Sequence, residues 1–156
     1  SCKNIPQTLG EQPTFRHLTT LLQICEGNIE KAIKGIKSER INTRAECALN
    51  WLKTYAPEDF KFSVHSKITD EINEHISPSQ KKALRELEEL LKKNKYDSET
   101  LFNQFYDICK KNKLKNTEFF EGAYLTIIGK KKGPRLANFI ISLGQERVAK
   151  LLEGIK

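Results

Sequence analysis

The sequence predicts an all-α protein, and three observations carry that prediction. From Thr14 onward, apolar residues recur at three- and four-residue spacing in nearly every segment. Most of these segments open on Ser, Thr, Asp or Asn, or close on Gly or Pro, which cap and stop helices. No strand–helix alternation and no internal repeat runs through the chain.

Taken in order, residues 1–13 contain Pro6, Gly10 and Pro13 with little periodicity and read as a linker or a truncated end. Thr14 suits an N-cap for a helix bearing Phe15, Leu18, Leu22 and Cys25 on one face, ending near Gly27. Asn28 suits a cap for a short helix with Ile29, Ala32, Ile33 and Ile36. Asn42 begins another, with Ala48, Trp51, Leu52 and Tyr55 as its core stripe and Pro57 as its stop. The alternation in Lys61-Phe62-Ser63-Val64-His65 is too short for a strand.

Ser77-Pro78 is the clearest internal boundary, dividing a helical subdomain over 14–76 from one over 79–156. Beyond it, Leu84, Leu87, Leu90 and Leu91 form one helix face under a charged exterior. Asp97 caps a helix carrying Leu101, Phe102, Phe105, Ile108 and Cys109. Asn116 or Thr117 opens one with Phe119, Phe120, Ala123, Tyr124, Ile127 and Ile128. Gly129 reads as its left-handed terminator. Gly133 as N-cap and Pro134 at the first helical position then start a helix to Leu143, and a last helix runs from about Gly144 to Glu153.

With 156 residues, 38% hydrophobic and 30% charged, the chain is long enough for one sizeable core or two small ones and is not of disordered composition. No apolar run approaches the roughly 20 residues of a membrane span. The first residues lack the apolar stretch of a secretory signal, and the expected location is cytoplasmic. The four cysteines have no pair at metal-ligand spacing and read as reduced thiols. The net charge of +7 is concentrated. Between Lys110 and Arg135, eight basic residues stand against Glu118 and Glu121, a local +6. Localised charge of that kind points to a polyanion, nucleic acid first.

Chemistry is conspicuous by its absence. No nucleophile elbow, no paired-histidine zinc helix and no dinucleotide or Walker glycine pattern occurs. His17, His65 and His75 are dispersed and read as surface or half-buried side chains. Gly129-Lys130-Lys131-Lys132-Gly133 lacks the ending and preceding strand of a nucleotide loop. It reads either as a solvated turn or as an anion site beside a helix N-terminus. Phe119, Phe120 and Tyr124 lie within the basic segment, where they either fill the core or stack on unpaired bases. Tyr124 is the more open case, because its hydroxyl needs a polar partner. These residues describe a binding module.

Phe15-Arg16-His17-Leu18-Thr19, Ala48 through Glu58 with Lys61-Phe62, and Gly129 through Leu136 with Phe139-Ile140 and Leu143-Gly144 carry a resemblance. In order and spacing they resemble the C-terminal region of class I lysyl-tRNA synthetases, over about Pro13 to Ile155. The resemblance implies a bundle of the α-helix cage type that binds the anticodon end of lysine tRNA. It also implies a partner, a Rossmann-type catalytic domain N-terminal to it that activates lysine with ATP. The signature motifs of that domain are missing here, so no catalytic residue and no cofactor or metal site is expected in this chain. Charge, helix phase and family position together single out Lys130, Lys131, Lys132 and Arg135 for phosphate contact, Arg135 being also placed to reach a base edge. Lys115 extends the basic track, Tyr124 is the stacking candidate and Asn138 the amide, one turn beyond Arg135. A helical protein-interaction module and a free-standing tRNA-binding protein are the competing readings.

Overall fold

The computed structural model describes residues 13–156, and among these it contains nine α-helices and no strand. The expected linker, Pro13 apart, lies outside the described residues. The chain divides into two compact units, residues 1–63 and 64–156.

The first unit holds α1 (Phe15–Ile24), α2 (Ile29–Ala32) and α3 (Ile41–Thr54). Thr14 caps α1 by accepting the His17 N–H at 3.0 Å, and Asn28 caps α2 by accepting that of Lys31 at 3.0 Å. Leu18, Leu22, Ala32, Ala48 and Leu52 form its core. Trp51 closes one side, edge-on to Phe15 at 5.5 Å and to Phe60 at 5.1 Å. Two expectations fail here. α3 starts at Ile41 behind a left-handed Arg40 (φ 58°), with no side-chain cap, because backbone geometry rather than Asn42 sets the turn. Tyr55, expected in the core stripe, is 71% exposed, because α3 has already ended at Thr54 and the chain turns away. Cys47 is disulfide-bonded, against the reduced-thiol reading, while Cys25 and Cys109 are free.

The second unit comprises α4 (Asp70–His75), α5 (Pro78–Lys93), α6 (Ser98–Lys111), α7 (Asn116–Ile128), α8 (Leu136–Leu143) and α9 (Gln145–Leu152). α5 is its spine and packs on α6, α7 and α9. Leu84, Leu87, Phe105, Phe119, Ile140 and Val148 are essentially sealed from water, each contributing about 1.5–3 kcal/mol by burial. Asp97 caps α6 through a reciprocal pair with Thr100, as the sequence predicts.

Ser77-Pro78 is a helix start inside this unit and not the division between units. Ser77 and Gln80 form a capping box, so the same residues that signal a boundary here signal only an N-terminus. The preceding residues are tied to the second unit. The His65 N–H bonds the Ile127 carbonyl at 2.7 Å, and Asn73 bonds Gly154 O at 3.1 Å and the Lys156 N–H at 3.0 Å.

Candidate nucleic-acid interface

The end of α7 is fully accounted for. Gly129 adopts φ 71°, and its N–H reaches the carbonyls of Tyr124 at 3.0 Å and Leu125 at 3.1 Å. The next two carbonyls are taken by one residue. His65 gives its backbone N–H to Ile127 O and its ring Nδ1 proton to Thr126 O at 3.0 Å. A Cβ on Gly129 would stand 3.0 Å from the His65 ring, so the glycine serves both the left-handed turn and this close approach.

The following turn folds back over Tyr124. Gly133 is held so close that a Cβ there would lie 2.9 Å from Ile128 Cδ1 and 3.0 Å from the Tyr124 ring. Gly133 is therefore a packing residue, not the expected N-cap. The Tyr124 hydroxyl donates to Pro134 O at 2.5 Å. It also meets the Leu136 N–H, whose influence is outweighed by burial, and the hydroxyl pKa is pushed up to about 12. α8 begins at Leu136, two residues later than expected, with Arg135 in the cap position and Pro134 outside the helix. The lysine side chains of the turn carry the attraction for an anion here.

Lys131 and Lys132 project from the turn into solvent, and Lys130 is half-buried. Lys131 makes a loose pair with Glu121 at 3.8 Å, of the exposed kind that contributes little. Below the turn lies an open cleft of about 560 Å³. Ser98, Glu99 and Phe102 of α6 form one wall, Phe120 and Tyr124 of α7 the floor, and Arg135 through Asn138 the other wall. Thus the structure brings Tyr124, Arg135 and Asn138 together in one cleft, with the lysine turn beside it. It does not bring Lys115 there. Lys115 is the cap residue at the opposite end of α7, whose 13 residues span about 20 Å.

Burial reassigns the aromatics. Phe119 is fully buried and Tyr124 is only 8% exposed, so Tyr124 offers an edge and an anchor rather than an open face. Phe102, 40% exposed, and the half-buried Phe120 present the ring surfaces of the cleft. Phe102 was the residue the sequence reading missed, being counted with the core stripe. Of that stripe Leu101, Phe105, Ile108 and Cys109 are buried, whereas Phe102, a turn or two before Phe105 and Cys109 on the same face, stays open to solvent. Its edge-on partner at 5.0 Å is the exposed Tyr106, four residues on. The (i, i+4) pairing of Phe102 with Tyr106 was the available signal.

A ring-floored cleft with an exposed guanidinium and amide on one wall suits an unpaired base, and the lysine turn suits its phosphates. Nothing here builds a nucleotide-triphosphate site: the turn follows a helix rather than a strand, and its glycines serve packing and helix termination. Among the described residues no cluster of three His, Cys, Asp or Glu side chains is placed to hold a metal ion. None of the helices among them is long and apolar enough to cross a membrane.

Comparison with known proteins identifies the family. The model of a family described as an anticodon binding domain matches residues 17–155. The lysine–tRNA ligase of Borreliella burgdorferi is 37% identical over 96% of this chain, and that of Thermococcus kodakarensis 33% identical over 97%. The lysine–tRNA ligase of Treponema pallidum is 29% identical over 96%. The chain spans 29%, 31% and 30% of these relatives' lengths, respectively.

Proposed function

Since the chain belongs to the anticodon-binding domain family, we propose that it holds the anticodon arm of a lysine tRNA for a lysine–tRNA ligase. Lysine activation with ATP then belongs to the part of the relatives' length that this chain does not span, in a catalytic domain that is its natural partner. Protein synthesis places such a module in the cytoplasm. The observation that carries the reading is the cleft itself. Two partly exposed phenyl rings line it together with Arg135 and Asn138, and the three lysines shortly precede Arg135 in the chain.

In this reading an anticodon base stacks on Phe102 and Phe120, while Asn138 and Arg135 meet its hydrogen-bonding edge. Tyr124 fixes the wall by holding Pro134, and Lys130, Lys131 and Lys132 take the flanking phosphates. Stacking on an aromatic residue contributes about 1–3 kcal/mol per base. Phe102→Ala is therefore expected to weaken binding of a lysine-anticodon stem-loop about 5- to 150-fold. The loss should be much smaller for a stem-loop with a scrambled anticodon. Titration of both RNAs by fluorescence anisotropy checks this. Equal affinity of the unaltered chain for the two RNAs would sink the anticodon reading and favour a basic protein-interaction module.

A further inference from the structure

A second cleft in the second unit, about 940 Å³, plays no part in the reading above. Its lining residues follow closely along the chain on those of the aromatic cleft. One wall is Leu91–Lys95, and the chain then runs through Tyr96 and Asp97 into Ser98 and Glu99, which line the aromatic cleft. The other wall begins at Ile141, one turn along α8 from Asn138, and continues through Gly144 and Gln145. Asn138 and Ile141 are both exposed and lie on the same face of α8, about 4.5 Å apart along its axis. The two clefts are therefore neighbours along both α8 and the chain that leads into α6.

The second cleft is built rather than incidental. Gln145 bridges its walls, with Nε2 donating to Asn94 O at 2.7 Å and Leu91 O at 3.3 Å. Its Oε1 accepts the Tyr96 N–H at 2.8 Å. This fixes the strip that carries Lys92, Lys93 and Lys95, facing Lys150 of α9. Lys92 is engaged by Glu153 at 2.6 Å and Glu88 at 3.7 Å. Lys93, Lys95 and Lys150 are exposed, and Glu146 is the remaining acidic group lining this second cleft.

We infer that this second cleft is a phosphodiester track, in which Lys93, Lys95 and Lys150 hold the backbone of the RNA whose base enters the aromatic cleft. The inference rests on the proposed function for the identity of the RNA. Charge complementarity and closeness along the chain to the aromatic cleft select this occupant. Phosphates need positive charge at several successive positions and no shape reading.

The test uses the full chain, with Lys93→Gln, Lys95→Gln and Lys150→Gln combined. Gln keeps the stems, and Lys92 with its ion pairs is left untouched. Affinity for a lysine-anticodon stem-loop and for the scrambled stem-loop is measured from low to high salt. The expected result is a log–log salt slope shallower by about 2, at 0.7–0.9 per lost phosphate contact, with the anticodon preference retained. An unchanged slope overturns the track and leaves an acidic protein as the class these lysines fit. A shallower slope together with an unaltered chain that ignores the anticodon upholds the track and removes only the reading of the aromatic cleft.

Discussion

At one end of α7 stand Lys110, Lys111, Lys113 and Lys115; at the other stand Lys130, Lys131, Lys132 and Arg135. In sequence they form one basic segment, and in the fold about 20 Å of helix separates them. The first group surrounds a plain connector. Lys111 pairs with Glu86 at 3.5 Å, and Asn112 bonds the same carboxylate at 3.0 Å. The second group sits on a turn whose backbone is fixed by Gly129, His65, Gly133 and Tyr124, above a cleft floored by aromatic rings. Charge attracts a polyanion wherever it lies. Only charge on a rigid turn beside a shaped cleft can set its register.

The sharpest way to break this comparison is to neutralise each end in turn. Lys130→Ala, Lys131→Ala and Lys132→Ala together should weaken binding of the lysine-anticodon stem-loop on the order of a hundredfold at about 0.1 M salt. The salt slope should flatten by about 2–3, because up to three phosphate contacts go at once. The same treatment of Lys110, Lys111 and Lys113 should cost under about fivefold, from general field alone. Equal losses at both ends would mean that the turn has no privileged position.

Much of this contrast was legible in the sequence, and the reasons differ by residue. Thr14, Asn28 and Asp97 act as caps where the sequence places them, because a cap is a local event. Gly129 terminates α7 for the same reason. What escaped depends on contacts far apart in the chain. His65 reaches the end of α7 from 61 residues away. Gly133 and Pro134 looked like a helix start, and only the Tyr124 ring beneath them shows that they are a lid on it. The charge count joined Lys115 to the turn because composition is blind to helix length. The candidate cleft was half legible: Arg135, Tyr124 and Asn138 were identified, whereas Phe102 was hidden within an apolar count.

The anchoring of the turn can be sharpened through Tyr124. Tyr124→Phe removes the donor and leaves Pro134 O without its partner, at a cost of about 1–3 kcal/mol in folding stability. The tyrosine also marks its own pH window. Burial raises its hydroxyl pKa from 10.0 to about 12, so the unfolded chain releases this proton before the folded one does. The stability it contributes is complete below about pH 10 and falls away as pH rises through about 12, by about 2–3 kcal/mol in all. Urea melts of the two proteins, compared from about pH 8 to 11, should show the advantage of the unaltered protein shrinking only above about pH 10. A constant difference across that range would mean that the hydroxyl is not held in a buried site.

The smallest expected effect belongs to Lys115, and it bears most directly on how the two ends differ. Lys115 is exposed, occupies the cap position of α7 and makes no capping bond. A positive charge there opposes the helix dipole, by about 0.3–1 kcal/mol at an exposed site. Lys115→Ala should therefore leave stem-loop affinity within about twofold while raising stability slightly. Lys115→Asp should raise it further, since an aspartate both caps the exposed N–H groups and suits the dipole. If Lys115→Ala instead flattened the salt slope by nearly one unit, as a lost phosphate contact does, the RNA would have to lie along the whole of α7. The lysine turn would then be one end of a continuous track, and the closed geometry around Gly129 and Tyr124 would be needed for folding alone.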